Sequence, residues 1–471
     1  MNMSISTLSA SDSDTICAIT TPPGRSGVGI IRVSGPAVAR IANQLLHFDP
    51  RPRFAHYCPF FESTEHILDQ GIALFFPGPN SFTGEDVLEL QGHGGYFVLD
   101  NLIQTVMGAG ARLARPGEFT ERAFLNNKID LAQAEAIADL IDSGSREAAR
   151  SAMRTLQGEF SRLIERLAES IIHLRVYLEA AIDFTDEEID FLNEGRISEK
   201  LKEVINQLDD VLAQARQGAL IREGMSVVIT GKPNAGKSSL LNVLAGKDSA
   251  IVTDIAGTTR DLLSEQINLD GMPLHVTDTA GLRESKDIVE QEGIRRALSA
   301  VKAADRILLM VDSSKETVDQ HNVVAYLSSP GFGELAQNLD ISRVTIIQNK
   351  ADLTGAEASF IASANPSEPA VIKLSVKHKS GIRLLTQHLK DSMGFQATRE
   401  GGFIARRRHL DALSKARQCL LEATFQLDQH GAAELVAEDL RHAHQYLGEI
   451  TGQFSTDELL GRIFSSFCIG K

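Results

Sequence analysis

The sequence predicts a multidomain α+β protein in which a Ras-like parallel α/β domain is inserted into a helical domain. The chain has 471 residues, which at roughly 150 residues per domain corresponds to about three domains. Apolar residues recur at helical spacing in the middle of the chain and again near its end. Between these two stretches, short apolar strands alternate with helices, which is typical of a parallel sheet with crossover connections.

The first predicted domain, residues 1–129, contains short β-like runs separated by Gly and Pro. The runs are Gly29–Val33, Ile72–Phe76 and Val87–Leu90. Short strands punctuated by turn residues favour an α+β domain. Arg32 and Glu89 are charged residues inside two of these apolar runs, which suggests that a polar pocket lies there.

Residues 130–222 and 395–471 are predicted to be two parts of one helical domain, with the inserted domain at 223–394. Apolar residues three and four apart predict a long helix in the first part. They are Leu156, Phe160, Leu163, Leu167, Ile171, Leu174 and Leu178. A second helix is expected at Leu201–Ala215, and helical sequence returns from about Ile404 to Leu447. Because each helix carries an apolar stripe, we expect the C-terminal helices to pack on the earlier ones.

The composition favours a globular protein of a reducing compartment. Hydrophobic residues make up 43% and charged residues 23% of the chain, which argues against a disordered or fibrous protein. The four cysteines are scattered without a Cys-x-x-Cys pair, so we do not expect a disulfide framework. The residues up to Asp14 carry no Lys or Arg, and no apolar run is long enough to span a bilayer. A cytoplasmic protein without membrane association is expected.

The formal net charge of −15 disfavours nucleic-acid binding through the field of the whole molecule. Any RNA contact must therefore be local. The dense basic run is Arg406, Arg407 and Arg408, and two interpretations of it stay open. It is either a solvated helix start or a nucleic-acid patch.

A phosphate-binding loop is the most specific motif. Residues 231–238 read Gly-Lys-Pro-Asn-Ala-Gly-Lys-Ser and match G-x-x-x-x-G-K-[ST]. The motif follows the strand Ser226–Thr230 and opens a helix at Ser239–Leu241. In such a loop, backbone N–H groups bind phosphate at a helix N-terminus, Lys237 supplies charge to the β- and γ-phosphates, and Ser238 offers a hydroxyl to Mg²⁺.

Two downstream segments would complete the contacts to the metal and the γ-phosphate. The strand Leu274–Thr277 ends in Asp-Thr-Ala-Gly at 278–281, where a carboxylate can hold the hydration shell of the metal. Thr259 is the expected second hydroxyl on Mg²⁺. Leu282 stands where Ras-like enzymes carry a water-orienting Gln, so another residue must orient the water. The polar candidates in the same segment are Arg283, Glu284, Asp287, Glu290 and Glu292.

The base is read further along the chain. The strand Val344–Gln348 runs into Asn-Lys-Ala-Asp at 349–352. The carboxylate of Asp352 accepts hydrogen bonds from guanine N1 and N2 and would meet no such donors on adenine. The motif therefore favours GTP over ATP. Residues 375–377, Ser-Val-Lys, follow the strand Ala370–Leu374 and are a weaker match to the last guanine-contacting loop.

From residue 14 to residue 471 the sequence resembles the MnmE (TrmE) family of tRNA-modification GTPases. The segments that carry the resemblance are Thr21–Arg25 with Gly29–Arg32, Pro79–Asp86, Gly231–Leu240 and the terminal Cys468-Ile469-Gly470-Lys471. The resemblance implies a homodimer that forms a heterotetramer with MnmG, a partner protein that contains FAD. Together they would add a carboxymethylaminomethyl or aminomethyl group to C5 of the wobble uridine of certain tRNAs.

The resemblance also implies the contacts to GTP, residue by residue. They are Asn234, Ala235, Gly236, Lys237, Ser238, Ser239, Thr253, Asp254, Ile255, Ala256, Gly257, Thr258, Thr259, Asp278, Thr279, Ala280, Gly281, Asn349, Lys350, Ala351, Asp352, Ser375, Val376 and Lys377. A potassium ion beside the phosphates would be bound by Asn234, Thr258 and the backbone of Thr253 and Ile255. Glu290 would orient the water, and the G domains of the dimer would pair across the ion.

In the N-terminal domain the resemblance implies dimerisation and a site for 5-formyl- or 5,10-methylene-tetrahydrofolate. Its contacts would be Arg32, Glu89, Lys128 and Lys471, although Lys128 and Lys471 taken alone would be interpreted as solvated. Cys468 would lie near the folate, as a nucleophile or a structural thiol. The terminal Cys-Ile-Gly-Lys superficially matches a prenylation signal, but Lys is not a usual final residue, so we do not expect prenylation. The residues before Asp14 extend past the usual start of the family and are assigned no role.

Two other functions share part of these features. A regulatory or ribosome-assembly GTPase would have the same nucleotide motifs but should end in an RNA-binding module. A folate-dependent aminomethyl transferase would carry the G domain as a regulatory insert.

Overall fold

The computed structural model describes most of the chain as two compact units. The described residues are 14–183, 196–246, 264–269, 272–278, 295, 298–329, 332, 339–363, 365, 368–395, 402–430, 432–454 and 456–470. The first unit comprises residues 1–138, 156–204 and 415–471, and the second comprises residues 139–155 and 205–414. The predicted mixed class with a parallel α/β domain is confirmed, and the predicted boundaries of the four segments remain a prediction.

The first unit contains a six-stranded sheet in the order β3-β4-β5-β2-β1-β6. Its strands are β1 (Ile16–Ile19), β2 (Ser26–Ser34), β3 (His56–Ser63), β4 (His66–Phe76), β5 (Val87–Gly94) and β6 (Arg112–Leu113). The pair β1/β6 is parallel and the other neighbours are antiparallel. The three β-like runs predicted from the sequence lie inside β2, β4 and β5.

The core of this sheet leaves one face for polar residues. The helices Val38–Leu46 and Tyr96–Gly108 contribute buried side chains to the same apolar cluster as Ile31 and Leu88. Because side chains alternate along a strand, Arg32 then points away from this cluster.

The predicted packing of a C-terminal helix on an earlier helix is confirmed, and the predicted start of the long helix is corrected. The helix Ala433–Thr451 packs against the helix Glu159–Asp183, so a C-terminal helix does return onto an earlier one. The predicted start at Leu156 is wrong. Gly158 adopts a φ of +80° and separates Glu159–Asp183 from a preceding helix, Arg146–Leu156. The remaining helices outside the second sheet are Glu118–Leu125, Leu131–Ile141, Arg196–Glu223, Arg407–His430 and Asp457–Ser465.

A buried group of ion pairs fixes the helix Glu118–Leu125. The Glu118 side chain is 2% exposed, and its carboxylate lies 2.6 Å from Arg112 and 3.2 Å from Arg122. Arg122 also contacts Asp14 at 2.6 Å. Burial alone would raise the pKa of Glu118, but the hydrogen bonds from Arg112, the Arg115 backbone N–H and Arg122 lower it to about 2.

This lowered pKa predicts that the helix loses protection in acid. The unfolded carboxyl titrates near 4.5 and the folded one near 2, so the stabilisation is complete above pH 4.5 and disappears as the pH falls toward 2. The loss should reach on the order of 3 kcal/mol. Hydrogen exchange of the Glu118–Leu125 amides measures it, corrected for intrinsic rates. Glu118→Gln should make the pH dependence shallower and leave the part that Asp14 contributes, because Arg112 and Arg122 also lower the pKa of Asp14. The exposed Glu458→Gln should leave the pH dependence unchanged, and an unchanged slope in Glu118→Gln would contradict this assignment.

The second unit contains a seven-stranded sheet in the order β12-β13-β11-β10-β7-β9-β8. Its strands are β7 (Met225–Gly231), β8 (Ser264–Leu269), β9 (Met272–Asp278), β10 (Arg306–Asp312), β11 (Val344–Asn349), β12 (Ser359–Ile361) and β13 (Ala370–Lys373). The strands at the two edges are antiparallel to their neighbours, and the central five are parallel. The helices of the sheet are Lys237–Ala245, Val323–Leu327, Ala351–Thr354 and Ile382–Ser392, and Ile341–Arg343 forms a 3₁₀ turn.

Both faces of this sheet are covered. Ile229 belongs to one apolar cluster and the adjacent Val228 to another, as expected for parallel strands buried on both sides. Loops that follow the carboxyl ends of parallel strands therefore gather at one edge, where ligands bind in such sheets.

Two further properties concern the apolarity of the helices and the state of the cysteines. Across the described ranges, no helix combines the length and apolarity needed to cross a bilayer. All four cysteines lie in these ranges and are free thiols; Cys17 and Cys58 are buried, whereas Cys468 is exposed.

Candidate functional site

The loop between β7 and the helix Lys237–Ala245 has a backbone suited to phosphate. Asn234 has a φ of +64° and Gly236 a φ of +103°, which turns the chain back on itself. Lys237 is buried, and its Nζ donates to the carbonyl oxygens of Gly231 at 2.8 Å and Lys232 at 3.2 Å. The helix begins at Lys237, two residues before the start that the sequence suggested. Successive N–H groups at this turn and helix start can bind an anion.

Two glycines of the loop lie too close to neighbouring strands for any side chain. A Cβ at Gly231 would lie 2.2 Å from the carbonyl oxygen of Met310, and one at Gly236 would lie 2.3 Å from Nδ2 of Asn349. Both glycines also have positive φ. The phosphate loop is therefore packed tightly against the ends of β10 and β11.

Asn349 links three segments that the sequence suggested separately. Its side chain is buried; Nδ2 donates to the carbonyl oxygen of Ala235 at 2.8 Å, and Oδ1 accepts from the N–H of Val376 at 3.1 Å. The structure thus brings the phosphate loop, residues 349–352 and residues 375–377 together at the carboxyl edge of the sheet. The weaker motif, 375–377, therefore lies against the two stronger ones.

Asp352 is held as a charged acceptor at this edge. Ser375 Oγ donates to Asp352 Oδ1 at 2.5 Å, and this hydrogen bond lowers the pKa of Asp352. His378 Nε2 lies 3.7 Å from the other carboxylate oxygen. An ionised carboxylate accepts hydrogen bonds and donates none, which suits the N1 and N2 donors of guanine.

A turn after β10 contacts a lysine of each candidate nucleotide loop, and no sequence motif identifies this turn. Lys350 has a φ of +65°, and its Nζ lies 2.6 Å from Asp312 Oδ2. Burial by itself would raise the pKa of Asp312, but the hydrogen bond from Lys350 helps to lower that pKa below its usual value. Glu316 Oε1 lies 2.6 Å from the Nζ of Lys232. A sequence signal for Asp312 existed, since it directly ends a buried strand.

Tyr326 completes the contacts of Lys232. The Lys232 Nζ lies 4.6 Å from the centre of the Tyr326 ring. Burial and the adjacent Glu316 carboxylate raise the pKa of Tyr326. The neutral phenol therefore serves as a hydrogen-bond donor to Glu316.

Several predicted site residues lie outside the described residues. They are Thr253, Asp254, Ile255, Ala256, Gly257, Thr258, Thr259, Thr279, Ala280, Gly281, Glu290 and Lys471. Asp278 ends β9 and pairs in register with Ile229 of β7, so its backbone reaches the same edge of the sheet as the phosphate loop.

A second polar site lies on the N-terminal sheet. Arg32 and Glu89 face each other across β2 and β5, and the guanidinium contacts Glu89 Oε1 at 2.8–2.9 Å. The guanidinium carbon also lies 5.7 Å from the centre of the Phe82 ring and 5.8 Å from that of Phe119. The two charged side chains remain 24% and 16% exposed, so the pair is accessible to a ligand.

The C-terminal segment packs on this same sheet. The N–H of Gly117 donates to the carbonyl oxygen of Cys468 at 3.3 Å. Gly470, with a φ of +94°, lies so close to β1 that a Cβ would approach the carbonyl oxygen of Ile19 to 2.8 Å. Lys128 is exposed but anchored, because its Nζ donates to the carbonyl oxygen of Pro79 at 2.8 Å.

Comparison with known proteins supplies the family. A family model described as "MnmE helical domain" matches residues 131–468, and one described as "GTP-binding protein TrmE N-terminus" matches residues 15–128. The tRNA modification GTPase MnmE of Marinobacter nauticus is 56% identical over 459 residues, 97% of this chain and 99% of that protein. The chain belongs to the MnmE family. The MnmE proteins of Ectopseudomonas mendocina and Haemophilus influenzae are 59% and 58% identical, over 97% of this chain and 99% and 100% of those proteins.

The resemblance inferred from the sequence is thereby confirmed. The MnmE proteins are GTPases, and the phosphate loop and Asn-Lys-Ala-Asp segment of this chain agree with GTP as the hydrolysed nucleotide. Among solved structures, the FeoB G-domain of Methanococcus jannaschii is 18% identical over 36% of this chain and 97% of that chain, with a TM-score of 0.25.

In this MnmE-family chain, the contacts of the basic run at 406–408 favour a helix start over a nucleic-acid patch. Arg406 Nη2 lies 2.8 Å from Asp139 Oδ1, which Arg222 Nε also contacts at 2.8 Å. Arg407 begins the helix Arg407–His430. At least one of the three arginines is thus used to hold the second unit together.

Proposed function

We propose that the chain is a GTP-hydrolysing tRNA modification enzyme that works with an FAD-dependent partner, MnmG. The pair would add a carboxymethylaminomethyl or aminomethyl group to C5 of the wobble uridine of certain tRNAs. The proposal is carried by one observation: a guanine nucleotide site and the Arg32–Glu89 site, with the C-terminal segment packed on its sheet, occur in one chain of the MnmE family. A purely regulatory GTPase has no use for the second site.

The geometry of the described residues supports the roles that we propose for Asp352, Lys237 and Ser238. Asp352 reads guanine, and Lys237 supplies positive charge to the β- and γ-phosphates. Ser238 is exposed at the start of the helix Lys237–Ala245, where its hydroxyl can meet a phosphate-bound Mg²⁺. Thr259 would give the second hydroxyl, with Asp278 at the hydration shell of the metal. Glu290 would orient the attacking water in place of the Gln that Leu282 replaces.

A potassium ion would supply the positive charge that an arginine finger provides in other GTPases. Asn234 fits a ligand of such an ion, because it is exposed at a positive φ within the phosphate loop and oxygen donors suit a hard cation. Thr253, Ile255 and Thr258 are the other proposed ligands. G domains of a homodimer would pair across this position.

GTP hydrolysis is therefore expected to require K⁺ and Asn234. The rate should fall roughly tenfold or more when Na⁺ replaces K⁺, because the smaller Na⁺ fits poorly in a ligand set suited to K⁺ and the positive charge is then not held beside the phosphates; a tenfold loss corresponds to a barrier raised by about 1.4 kcal/mol. Asn234→Ala should lose the K⁺ response and retain GDP affinity within about threefold. Steady-state phosphate release measures both, with Asn242→Ala in the following helix as a control. Equal rates in the two salts would remove the ion from the proposal.

The N-terminal domain is proposed to bind 5-formyl- or 5,10-methylene-tetrahydrofolate and to mediate dimerisation. A flat heterocycle with N–H donors and ring nitrogens fits an accessible site made of a carboxylate, a guanidinium and the exposed aromatic ring of Phe82. Arg32 and Glu89 would bind the ring system, Lys128 and Lys471 would complete the contacts, and Cys468 would lie nearby. The reducing cytoplasm is the proposed compartment, in keeping with the free thiols.

Analysis of tRNA nucleosides by mass spectrometry tests this function. In a strain that lacks the chain, the C5-substituted wobble uridine should disappear, and a plasmid copy of the wild-type chain should restore it. An unchanged nucleoside profile in the deletion strain would overturn the proposal. It would leave a regulatory GTPase or a folate-dependent transferase with another substrate.

A further inference from the structure

One face of the helix Arg146–Leu156 carries three arginines at equal spacing. Arg146, Arg150 and Arg154 stand four residues apart, so their Cα atoms are about 6 Å apart along the axis and share one side of the helix. Arg146 and Arg150 are exposed and Arg154 is partly exposed. We call these three residues the arginine face.

The arginine face has no partner within the described part of the chain. No ion pair or hydrogen bond joins any of its three guanidinium groups to a described residue. The acidic residues of the same stretch, Asp142 and Glu147, are exposed and do not pair with them. Other arginines of the second unit differ, since Arg222 and Arg406 share Asp139.

The opposite face of this helix is firmly packed. Its buried residues are Ala148, Ser151, Ala152 and Thr155, all small, which allows close approach of the neighbouring backbone. Thr155 Oγ1 accepts a hydrogen bond from the N–H of Ile404 at 2.9 Å. Ser145 Oγ accepts from the N–H of Ala148 at the start of the helix. The arginine face is therefore presented from a fixed element rather than a loop.

This arrangement is unfavourable for the helix by itself. Like charges four residues apart destabilise a helix by roughly 0.2–0.5 kcal/mol per pair, and a cation at the first helical residue opposes the helix dipole. The protein has an acidic net charge of −15, so a local row of arginines stands out from its surroundings. A polyanion bound in solution would offset the repulsion.

We propose that the arginine face binds the phosphate backbone of the substrate tRNA. The inference rests on the proposed function, which makes an RNA the partner. A guanidinium fork matches phosphate oxygens in a bidentate manner, and a row of cations about 12 Å long along the helix axis can follow several phosphates of one strand. Because phosphate contacts carry no base information, this face positions the tRNA and does not select it.

The test is binding of an unmodified tRNA transcript to the full chain, measured by fluorescence anisotropy over a series of KCl concentrations. The triple variant Arg146→Gln, Arg150→Gln, Arg154→Gln should bind roughly 30-fold more weakly at low salt, and the magnitude of its slope of log affinity against log salt should fall by about two to three. The triple Lys variant should keep the wild-type salt slope, because it keeps the charges, and should bind less than about tenfold more weakly, because Lys cannot contact phosphate in a bidentate manner. Thermal unfolding verifies that each variant is folded.

A charge-matched control separates a local contact from a change in net charge. Lys202→Gln, Lys302→Gln and Arg462→Gln alter three exposed cations elsewhere and should change tRNA affinity less than about threefold. Equal losses in the two Gln triples would overturn the arginine face as a binding surface. Wild-type tRNA affinity and salt slope in the Arg146→Gln, Arg150→Gln, Arg154→Gln variant would also overturn it. A wild-type chain that binds no tRNA would overturn it as well. The function itself is judged separately by the nucleoside analysis, whose result does not depend on where tRNA binds.

Discussion

Asp352→Asn is expected to change the base that the chain binds from guanine to xanthine. Guanine offers two donors, N1–H and the N2 amino group, to the two carboxylate oxygens of Asp352. An amide offers one acceptor and one donor, which matches xanthine, where an oxygen replaces the amino group. Loss of two charge-assisted hydrogen bonds at about 1.5–3 kcal/mol each predicts at least a 100-fold fall in GDP affinity. Titration with fluorescent GDP and with xanthosine diphosphate measures this change of base preference.

Ser375→Ala is the matched control for this prediction. It removes the hydrogen bond of 2.5 Å to Asp352 and keeps the carboxylate. We expect GDP affinity to fall by less than about tenfold, with guanine still preferred over xanthine. An Asp352→Asn chain that still prefers GDP would exclude Asp352 as the base-reading residue.

Gly236→Ala is expected to disable the nucleotide site more completely than the loss of any single contact. The new Cβ would lie 2.3 Å from Asn349 Nδ2, at a φ of +103°. Relief of this overlap must move either the loop or Asn349, and both movements break the 2.8 Å hydrogen bond to Ala235. We expect GTP hydrolysis to be undetectable and the second unit to lose about 1–3 kcal/mol of stability.

Gly461→Ala provides the control for the added methyl group. Gly461 lies in the helix Asp457–Ser465, and nothing approaches its Cβ position within 4 Å. The substitution should be neutral or stabilise the chain by up to about 1 kcal/mol. GTP hydrolysis by Gly236→Ala within threefold of wild type would show that the loop does not pack as described.

Local motifs were sufficient to predict the strand, loop and helix that hold phosphate. Gly231, Gly236 and Lys237 lie within eight consecutive residues, so their geometry depends on short-range backbone conformation. The parallel sheet was also predictable, because its buried strands are continuous apolar runs. Small errors remained at element ends: the helix starts at Lys237, and Gly158 breaks a helix that the apolar spacing alone would continue.

The contacts missed from the sequence depend on which strands are neighbours. Glu316 reaches Lys232 and Asp312 reaches Lys350 because β10 lies between β7 and β11 in the sheet. No local pattern encodes this order. The pairing of Arg32 with Glu89 has the same origin: the sequence marked both charges as unusual, but only the register of β2 and β5 puts them opposite each other.

The most direct test of the coupling between nucleotide hydrolysis and tRNA modification compares wild type and Asp352→Asn with GTP and with xanthosine triphosphate. The purified chain, its FAD-dependent partner and unmodified tRNA would be supplied with GTP or xanthosine triphosphate, and the wobble nucleoside quantified by mass spectrometry. Wild type should modify tRNA with GTP, and Asp352→Asn should do so with xanthosine triphosphate. Modification by Asp352→Asn with GTP at the wild-type rate would contradict the base-reading role of Asp352, and modification by wild type without nucleotide would contradict a GTP-driven tRNA modification enzyme.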